Sequence, residues 1–328
     1  MKKTYLGTFL PGIERPIEAM LHKEGGVAVE RVLPGAAVFK SVREPALPYM
    51  RQTFQLLFQM KPVASVDDAL KRLLNTGGWL DRFPYEETQG KRFRIVTAFG
   101  DQLVGANMRF VDMLERAICD NTGMRTQRER PEVELWVLCR PEAAYFLWRI
   151  GKRAVAKQEG QLRADVCSVI SFLAQASAKN VTVLGCKGAS LPAALASGGS
   201  RVTCVCPTPA AARAVSRGAS GVRVLEGESG HTGLEQASQR AVVLYLPSNL
   251  ETDDRATDAL RSALYEARRI LEAEGRLIVL AALAPTEGAL RRARGFHTAA
   301  RYLLTLGGQK SAIWLMEPIQ EIEENEQE

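Results

Sequence analysis

The sequence predicts an α/β protein whose C-terminal half is a doubly wound, mostly parallel sheet. Three observations carry that reading. The first is the stretch 180–208, NVTVLGCKGASLPAALASGGSRVTCVCPT. Its apolar run 181–184 has the length and composition of a buried strand. Gly185 and Gly188 then break the pattern, 191–196 is Ala/Leu-rich and reads as a short helix, Gly198-Gly199 stops it, and 202–206 is a second apolar run. Strand, glycine turn, helix, strand is the opening unit of a doubly wound sheet. The second observation is the alternation that follows, strand and helix by turns, closing on a hairpin across Gly307-Gly308. The third is a β-α-β-β pattern in the first forty residues, the front of a split βαβ module.

A chain of 328 residues, 46% hydrophobic, has enough apolar mass for two or three packed domains. Net charge is +6, but 317–328 holds six glutamates and no Lys or Arg, so residues 1–316 carry +12. A body that basic suits an anionic partner, RNA or DNA first, and solubility is the competing account. Six cysteines, Cys119, Cys139, Cys167, Cys186, Cys204 and Cys206, include no C-x-x-C pair, and His22, His231 and His297 lie far apart. No metal site is expected. Cys204 and Cys206 are read as pointing to opposite faces of their strand, against joint ligation. Reduced thiols in a cytoplasmic protein are the simplest expectation. The start has two lysines but too short an apolar core for a signal peptide, and the longest apolar run, 277–284, is too short to span a bilayer.

In chain order, 5–10 reads as a strand, 13–21 as a helix, and 27–32 and 36–39 as strands around Pro34-Gly35. Residues 49–60, with Met50, Phe54, Leu57 and Phe58 at helical spacing, predict a helix, and 66–74 predicts another. A new unit begins near Lys91: a strand at 93–96, a helix over 105–120, a strand at 131–138 and its hairpin partner at 143–150. Residues 151–160 read as a linker and 162–176 as a helix. After 206 come a strand at 222–225, a helix at 235–238, a strand at 241–246, a long helix over 255–273, a strand at 277–283 and the hairpin 302–306 with 312–316. An antiparallel pair closing such a sheet is the pattern of a methyltransferase-type domain. The acidic tail after Pro318 is expected to be disordered.

Basic residues flank the strands of the middle unit. Lys91, Arg92 and Arg94 lie before and within its first strand, and Arg125, Arg128 and Arg130 lie in the loop before its second. Such clusters, interleaved with Phe93, Phe110, Trp136, Tyr145 and Trp148, can track a phosphate backbone; a solvated loop and core aromatics are the plainer account.

The order of parts resembles the THUMP-containing RNA methyltransferases that form N2-methylguanosine in transfer or ribosomal RNA. Thr8-Phe9-Leu10-Pro11-Gly12-Ile13-Glu14 is similar to that family's start, where Pro-Gly-Leu-Glu follows the first strand. Arg130-Pro131-Glu132-Val133-Glu134-Leu135 with Ala144-Tyr145-Phe146-Leu147 resembles the last strands of a THUMP domain, and Gly160-Gln161-Leu162-Arg163 resembles the segment entering the catalytic domain. The likeness covers most of the chain. It implies a ferredoxin-like segment over 1–88, a THUMP-like RNA-binding domain over 89–152, a Rossmann-type (class I) methyltransferase-like domain over 153–318, and a tail over 319–328. It further implies structured RNA, most of all tRNA, as partner, and S-adenosylmethionine as cofactor if the domain is active. Arg163, Gly185, Gly188, Ser190 and Glu228 would be the cofactor-binding residues, and Pro247 and Asn249 the catalytic ones.

The sequence departs from the family where chemistry would occur. The family's Asp-Pro-Phe-Cys-Gly-Ser-Gly, matched on Gly188, puts Leu184 at the Asp and Ser190 at the last Gly. A nucleotide pocket of this kind has an acid at the end of its second strand for the ribose hydroxyls; here that strand ends Cys204-Val205-Cys206-Pro207, and Asp165 is the only aspartate between Asn121 and Thr252. The family's Asn/Asp-Pro-Pro-Tyr falls on Tyr245-Leu246-Pro247-Ser248-Asn249, with one proline matched and Asn249 out of register. Without the ribose acid the hydroxyls lose a charged acceptor, a bond of roughly 1.5–3 kcal/mol. Without the Asn/Asp and prolines the amine is not aligned for attack. The expectation is an RNA-binding protein on a methyltransferase scaffold with weak or lost methyl transfer. An active guanine-N2 methyltransferase with diverged motifs, and a non-catalytic scaffold for another RNA-modifying enzyme with a protein partner, are the alternatives. Ser197-Gly198-Gly199-Ser200-Arg201 resembles a pyrophosphatase loop but lacks its Asp, and a nicotinamide dehydrogenase would need the missing ribose acid.

Overall fold

The N-terminal lobe is built on strands that bury apolar side chains on both faces. The structure, a computed structural model, describes residues 2–151, 162–175, 179–246 and 254–319, without the side chains of residues 254–257 and 285. Its first elements are β1 (Lys3–Thr8), α1 (Glu14–Lys23), β2 (Val27–Leu33), β3 (Ala36–Ser41), β4 (Gln52–Met60), α2 (Val66–Thr76) and α3 (Tyr85–Thr88). Then follow β5 (Arg92–Phe99), β6 (Gln102–Leu103), α4 (Met108–Thr122), β7 (Arg125–Thr126), β8 (Val133–Cys139) and β9 (Ala144–Ile150). The strands form one sheet in the order β2-β3-β1-β4-β9-β8-β5-β6, with β7 beside β5. Strand alternation divides β8 cleanly: Val133, Leu135 and Val137 pack under α2 and α4, while Trp136 and Leu138 face the other side with Phe54, Ala98 and Tyr145.

Residues 49–60 correct the sequence reading. They contain β4, not a helix, and β4 is hydrogen-bonded to β1 on one edge and β9 on the other. A register shift between Leu56 and Phe58 resets the alternation, so Phe54 and Leu56 enter one core and Leu57 and Met60 the opposite one. A bulged strand buried on both faces mimics the apolar spacing of a helix.

The C-terminal lobe runs α5 (Ala164–Ala174), β10 (Asn180–Leu184), α6 (Ser190–Ser197), β11 (Arg201–Cys206), α7 (Pro209–Gly218), β12 (Arg223–Glu226) and β13 (Gln239–Tyr245). It ends with α8 (Asp254–Ile270), β14 (Leu271–Ala282), α9 (Leu283–Arg291), β15 (Phe296–Leu306) and β16 (Gln309–Pro318). The sheet order is β12-β11-β10-β13-β14-β16-β15, parallel through β14, with β16 antiparallel to both neighbours. Side chains of α5, α6 and α7 cover one face, and those of α8 and α9 the other. The first three strands in chain order therefore run outward from the middle, and the polarity of the chain reverses between β10 and β13, where such sheets place ligands.

Three further expectations are corrected here. Residues 235–238 form a turn, because the Ala237 and Ser238 amides donate to the Arg269 and Ile270 carbonyls at the end of α8. The helix α7 was missed although Thr208, whose hydroxyl accepts from the Ala211 amide at 3.2 Å, and Pro209 at the first helical position announce it. Cys204 and Cys206 lie on the same face and in the same core cluster, as residues two apart on a strand must.

The lobes are joined through the opening Thr8–Glu14 motif. The Leu10 amide donates to Asp165 Oδ2 at 2.9 Å. The Glu14 carboxylate accepts from the Gly12 amide at 2.9 Å and the Gly35 amide at 3.0 Å, fixing the turn. Gly12 has φ +101°, and a Cβ there would lie 1.6 Å from the Leu303 carbonyl oxygen of β15. Only glycine lets these two backbones meet. No helix among the described residues is long and apolar enough to cross a membrane.

Candidate functional site

The carboxyl ends of β10, β11 and β13 converge where a doubly wound sheet places its ligand. Gly185 has φ +73°, and a Cβ on it would come within 2.8 Å of the Tyr245 carbonyl oxygen. The close approach that this glycine permits is thus to the chain's own β13. The Cys186 amide donates to the Val205 carbonyl at 3.3 Å, and the Cys186 thiol donates to the Gly188 carbonyl at 3.2 Å. The Ser190 hydroxyl accepts from the Leu162 amide at 3.1 Å. The turn is held together by internal bonds.

Beneath it lies a group of buried thiols. Cys167, Cys186, Cys204 and Cys206 are all nearly inaccessible. Burial pushes the Cys206 thiol up to about 12, with the neighbouring Cys186 adding to it, and burial likewise raises Cys167 to about 12. Cys204 is driven up because it donates to the Cys186 sulfur and is itself buried. Cys186 goes the other way: the hydrogen bond it accepts from Cys204 lowers it, against its burial. The three raised thiols stay neutral at physiological pH and pack as small apolar groups.

S-adenosylmethionine needs a carboxylate for its ribose hydroxyls and a polar group for its methionine end. At the ends of β10 and β11 the described residues supply neither: Leu184 and Cys206 stand there, apolar and fully buried. The carboxylate beside them is the exposed Glu226 at the end of β12, register partner of Cys206. Glu228 is exposed, its own carbonyl accepting from the His231 amide at 3.2 Å. Pro247 and Asn249 lie outside the described residues. Arg163 is committed to Asp165, with Nε to Oδ1 at 3.0 Å and a terminal nitrogen to Oδ2 at 2.6 Å. Among the described residues no cluster of His, Cys, Asp and Glu has the geometry to hold a metal ion.

A cleft of about 1440 Å³ separates the open face of the N-terminal sheet from α5 and α6. It gathers Arg163 and Ser190 from one lobe and Arg94, Glu134, Trp136 and Arg149 from the other, while Gly185, Gly188 and Glu228 are not in its lining. Glu134 binds both Arg94 and Arg149, the latter at 2.6 Å, and accepts from Trp136 Nε1 at 3.4 Å. Burial raises the Glu134 carboxyl, but the two guanidiniums more than offset this and hold it below the usual carboxylate range. Two arginines on one carboxylate leave a net positive charge beside an indole. Arg94 Nε is buried without a hydrogen-bond partner among the described residues. Sequence reading found Arg94 but not Glu134 or Arg149. A lone charged residue in each of the apolar strands β8 and β9 was the available signal.

Arg94 therefore points into the cleft, apart from the other basic candidates. Lys91, Arg92, Arg125, Arg128 and Arg130 are all exposed and are brought to one end of β5. There Arg92 is the register partner of Arg125, the Arg125 amide donates to the Lys91 carbonyl at 3.1 Å, and the Glu132 amide donates to the Arg92 carbonyl at 2.8 Å. Arg92 Nε donates to Glu132 at 3.1 Å, and Arg128 faces Glu115, so part of the charge is neutralised locally.

A two-lobed α/β chain ending in a sheet of this order has a Rossmann-like methyltransferase architecture in its second lobe. Among solved structures, the whole chain is similar to TrmN from Thermus thermophilus, with TM-score 0.75 and 17% identity, covering 97% of this chain and 100% of that one. It is also similar to a possible methylase from Clostridium difficile 630, with TM-score 0.72 and 11% identity, covering 98% and 100%. No protein-family model and no curated protein sequence matches the chain. The likeness lies in the fold.

Proposed function

We propose that this chain is an RNA-binding protein on the THUMP-methyltransferase plan, with structured RNA, tRNA above all, as its partner and with methyl transfer weak or lost. In this reading residues 1–88 are a ferredoxin-like segment, 89–152 a THUMP-like RNA-binding domain and 153–318 the methyltransferase-like domain, in a cytoplasmic protein. The observation that carries the RNA half is the joining of Lys91, Arg92, Arg125, Arg128 and Arg130 at one exposed corner by the pairing of β5 with β7. Solvent-exposed guanidiniums on a fixed strand end position a phosphate backbone. The fold shared over almost the full length with TrmN and a possible methylase supports the scaffold. The replacement of the ribose-holding acid by the buried Cys204 and Cys206 supports the loss of the donor site.

Two measurements test the two halves. Titration calorimetry with S-adenosylmethionine should show no heat; micromolar binding would favour the active guanine-N2 methyltransferase instead. Filter retention of an unmodified tRNA transcript should weaken, and its dependence on salt should flatten, when Arg125, Arg128 and Arg130 are changed together to Ala. Unaltered retention and slope would remove RNA from that corner.

A further inference from the structure

The free edge of the parallel sheet carries a second concentration of charge. From residue 166 to residue 225 there is no Asp or Glu, whereas the chain's 37 acids in 328 residues would place about seven in that length. The same sixty residues hold Lys179, Lys187, Arg201, Arg213, Arg217 and Arg223. All six are exposed, and none makes an ion pair among the described residues. Elsewhere some surface cations are matched, as Lys40 is by Glu30, Arg240 by Glu272 and Glu274, and Arg291 and Arg301 by Glu287; what sets this run apart is that it holds no acid to match them.

The fold turns this run into a surface. Lys179, Arg201 and Arg223 stand at the amino ends of β10, β11 and β12, three adjacent strands stepping about 5 Å each toward the edge. Arg213 and Arg217 lie one turn apart on α7, and with Ser216 they flank a groove of about 300 Å³ between α7 and β12. Glu226, at the far end of β12, is the one acid lining it. A single charge is enough to discourage strand-to-strand pairing at a sheet edge. Five cations without an ion pair among the described residues, spread over α7 and the amino ends of three neighbouring strands, exceed that need and match an extended polyanion.

We propose that the β12–α7 edge is a second RNA-backbone surface, on which a structured RNA bound at the β5–β7 corner is also held by its phosphates. The inference rests on the RNA-binding reading and extends it to the other lobe. Its test is fluorescence anisotropy of a labelled, unmodified tRNA transcript titrated with the full chain over a series of KCl concentrations. The probe is applied to the wild type, to R213A/R217A/R223A, to R213K/R217K/R223K, and to R125A/R128A/R130A. Loss of three backbone contacts lowers the slope of log K against log salt by about 2 to 3, and the Lys triple should restore it while thermal melting stays unchanged in all variants. If the β5–β7 triple lowers the slope and the edge triple does not, the edge inference is overturned and the RNA-binding reading stands. If neither triple changes it, both fall. Co-sedimentation with anionic phosphatidylserine vesicles, lost in the edge triple while RNA affinity is unchanged, would assign the edge to a membrane surface and overturn the proposal.

Discussion

Asp165 hydrogen-bonds one lobe to the other through the Leu10 amide, and its replacement by Ala gives a worked expectation. The residue is 2% exposed, accepts from the Leu10 amide at 2.9 Å and from its neighbour Val166 at 3.0 Å, and binds Arg163. Ala leaves the buried Leu10 amide without a partner, a loss of about 1–3 kcal/mol. It also removes an acid from the first turn of α5, worth about 0.3–1 kcal/mol. Arg163 is partly exposed and regains water, so its share is small. The expected loss is about 3 kcal/mol, a large part of the roughly 5–15 kcal/mol that separates a native state from its unfolded ensemble. Asp165→Asn keeps an acceptor for the Leu10 amide and should lose about half as much. Urea unfolding followed by tryptophan fluorescence and by circular dichroism measures this. Trp79, Trp136 and Trp148 report on the first lobe and Trp314 on the second. Asp165→Ala should lower the midpoint and separate the two transitions, because it cuts the bond that couples them. A loss below about 1 kcal/mol with coincident transitions would show that the apolar junction alone holds the lobes, and would refute the role given to Asp165.

Two other outcomes follow from the same geometry. Arg269, together with Thr232, holds the Glu266 carboxyl down at about 2 despite burial, pinning the loop between β12 and β13. A depressed carboxyl stabilises the fold above its ordinary value and loses that contribution as pH falls toward the folded one. E266Q should therefore be less stable than the wild type at neutral pH, by about 2 kcal/mol after allowing for the partly exposed Arg269; the difference should close between about pH 4.5 and 2. A gap that stays constant in acid unfolding would contradict the assignment. For the thiols, iodoacetamide at pH 8 should label Cys119, the one partly exposed cysteine, ahead of the five buried ones, and all six should react in denaturant. Rapid native labelling of Cys186, Cys204 or Cys206, read by peptide mass spectrometry, would mean that the strand ends are open to solvent.

The sequence by itself determined the elements whose apolar patterns are continuous or strictly alternating. The runs at 181–184, 202–206 and 241–246 became β10, β11 and β13 because strands buried on both faces read as nearly continuous apolar runs; the buried Thr182 is accommodated by donating to Gln239 at 2.9 Å. It also determined that β11 ends in a cysteine rather than an acid, whereas only the pairing of β11 with β12 set Glu226 beside Cys206. Tertiary structure decided the rest. Residues 49–60 became a strand because β1 and β9 offered hydrogen-bond partners on both sides, a fact no local spacing contains. Arg94 left the basic corner for the cleft because Glu134 and Arg149, far away in sequence, share its face of the sheet. The turn at Gly12 was legible as a motif, but its reason, the Leu303 carbonyl of another lobe, was not. Local chemistry is written along the chain; which distant group stands opposite is settled only when strands choose their neighbours.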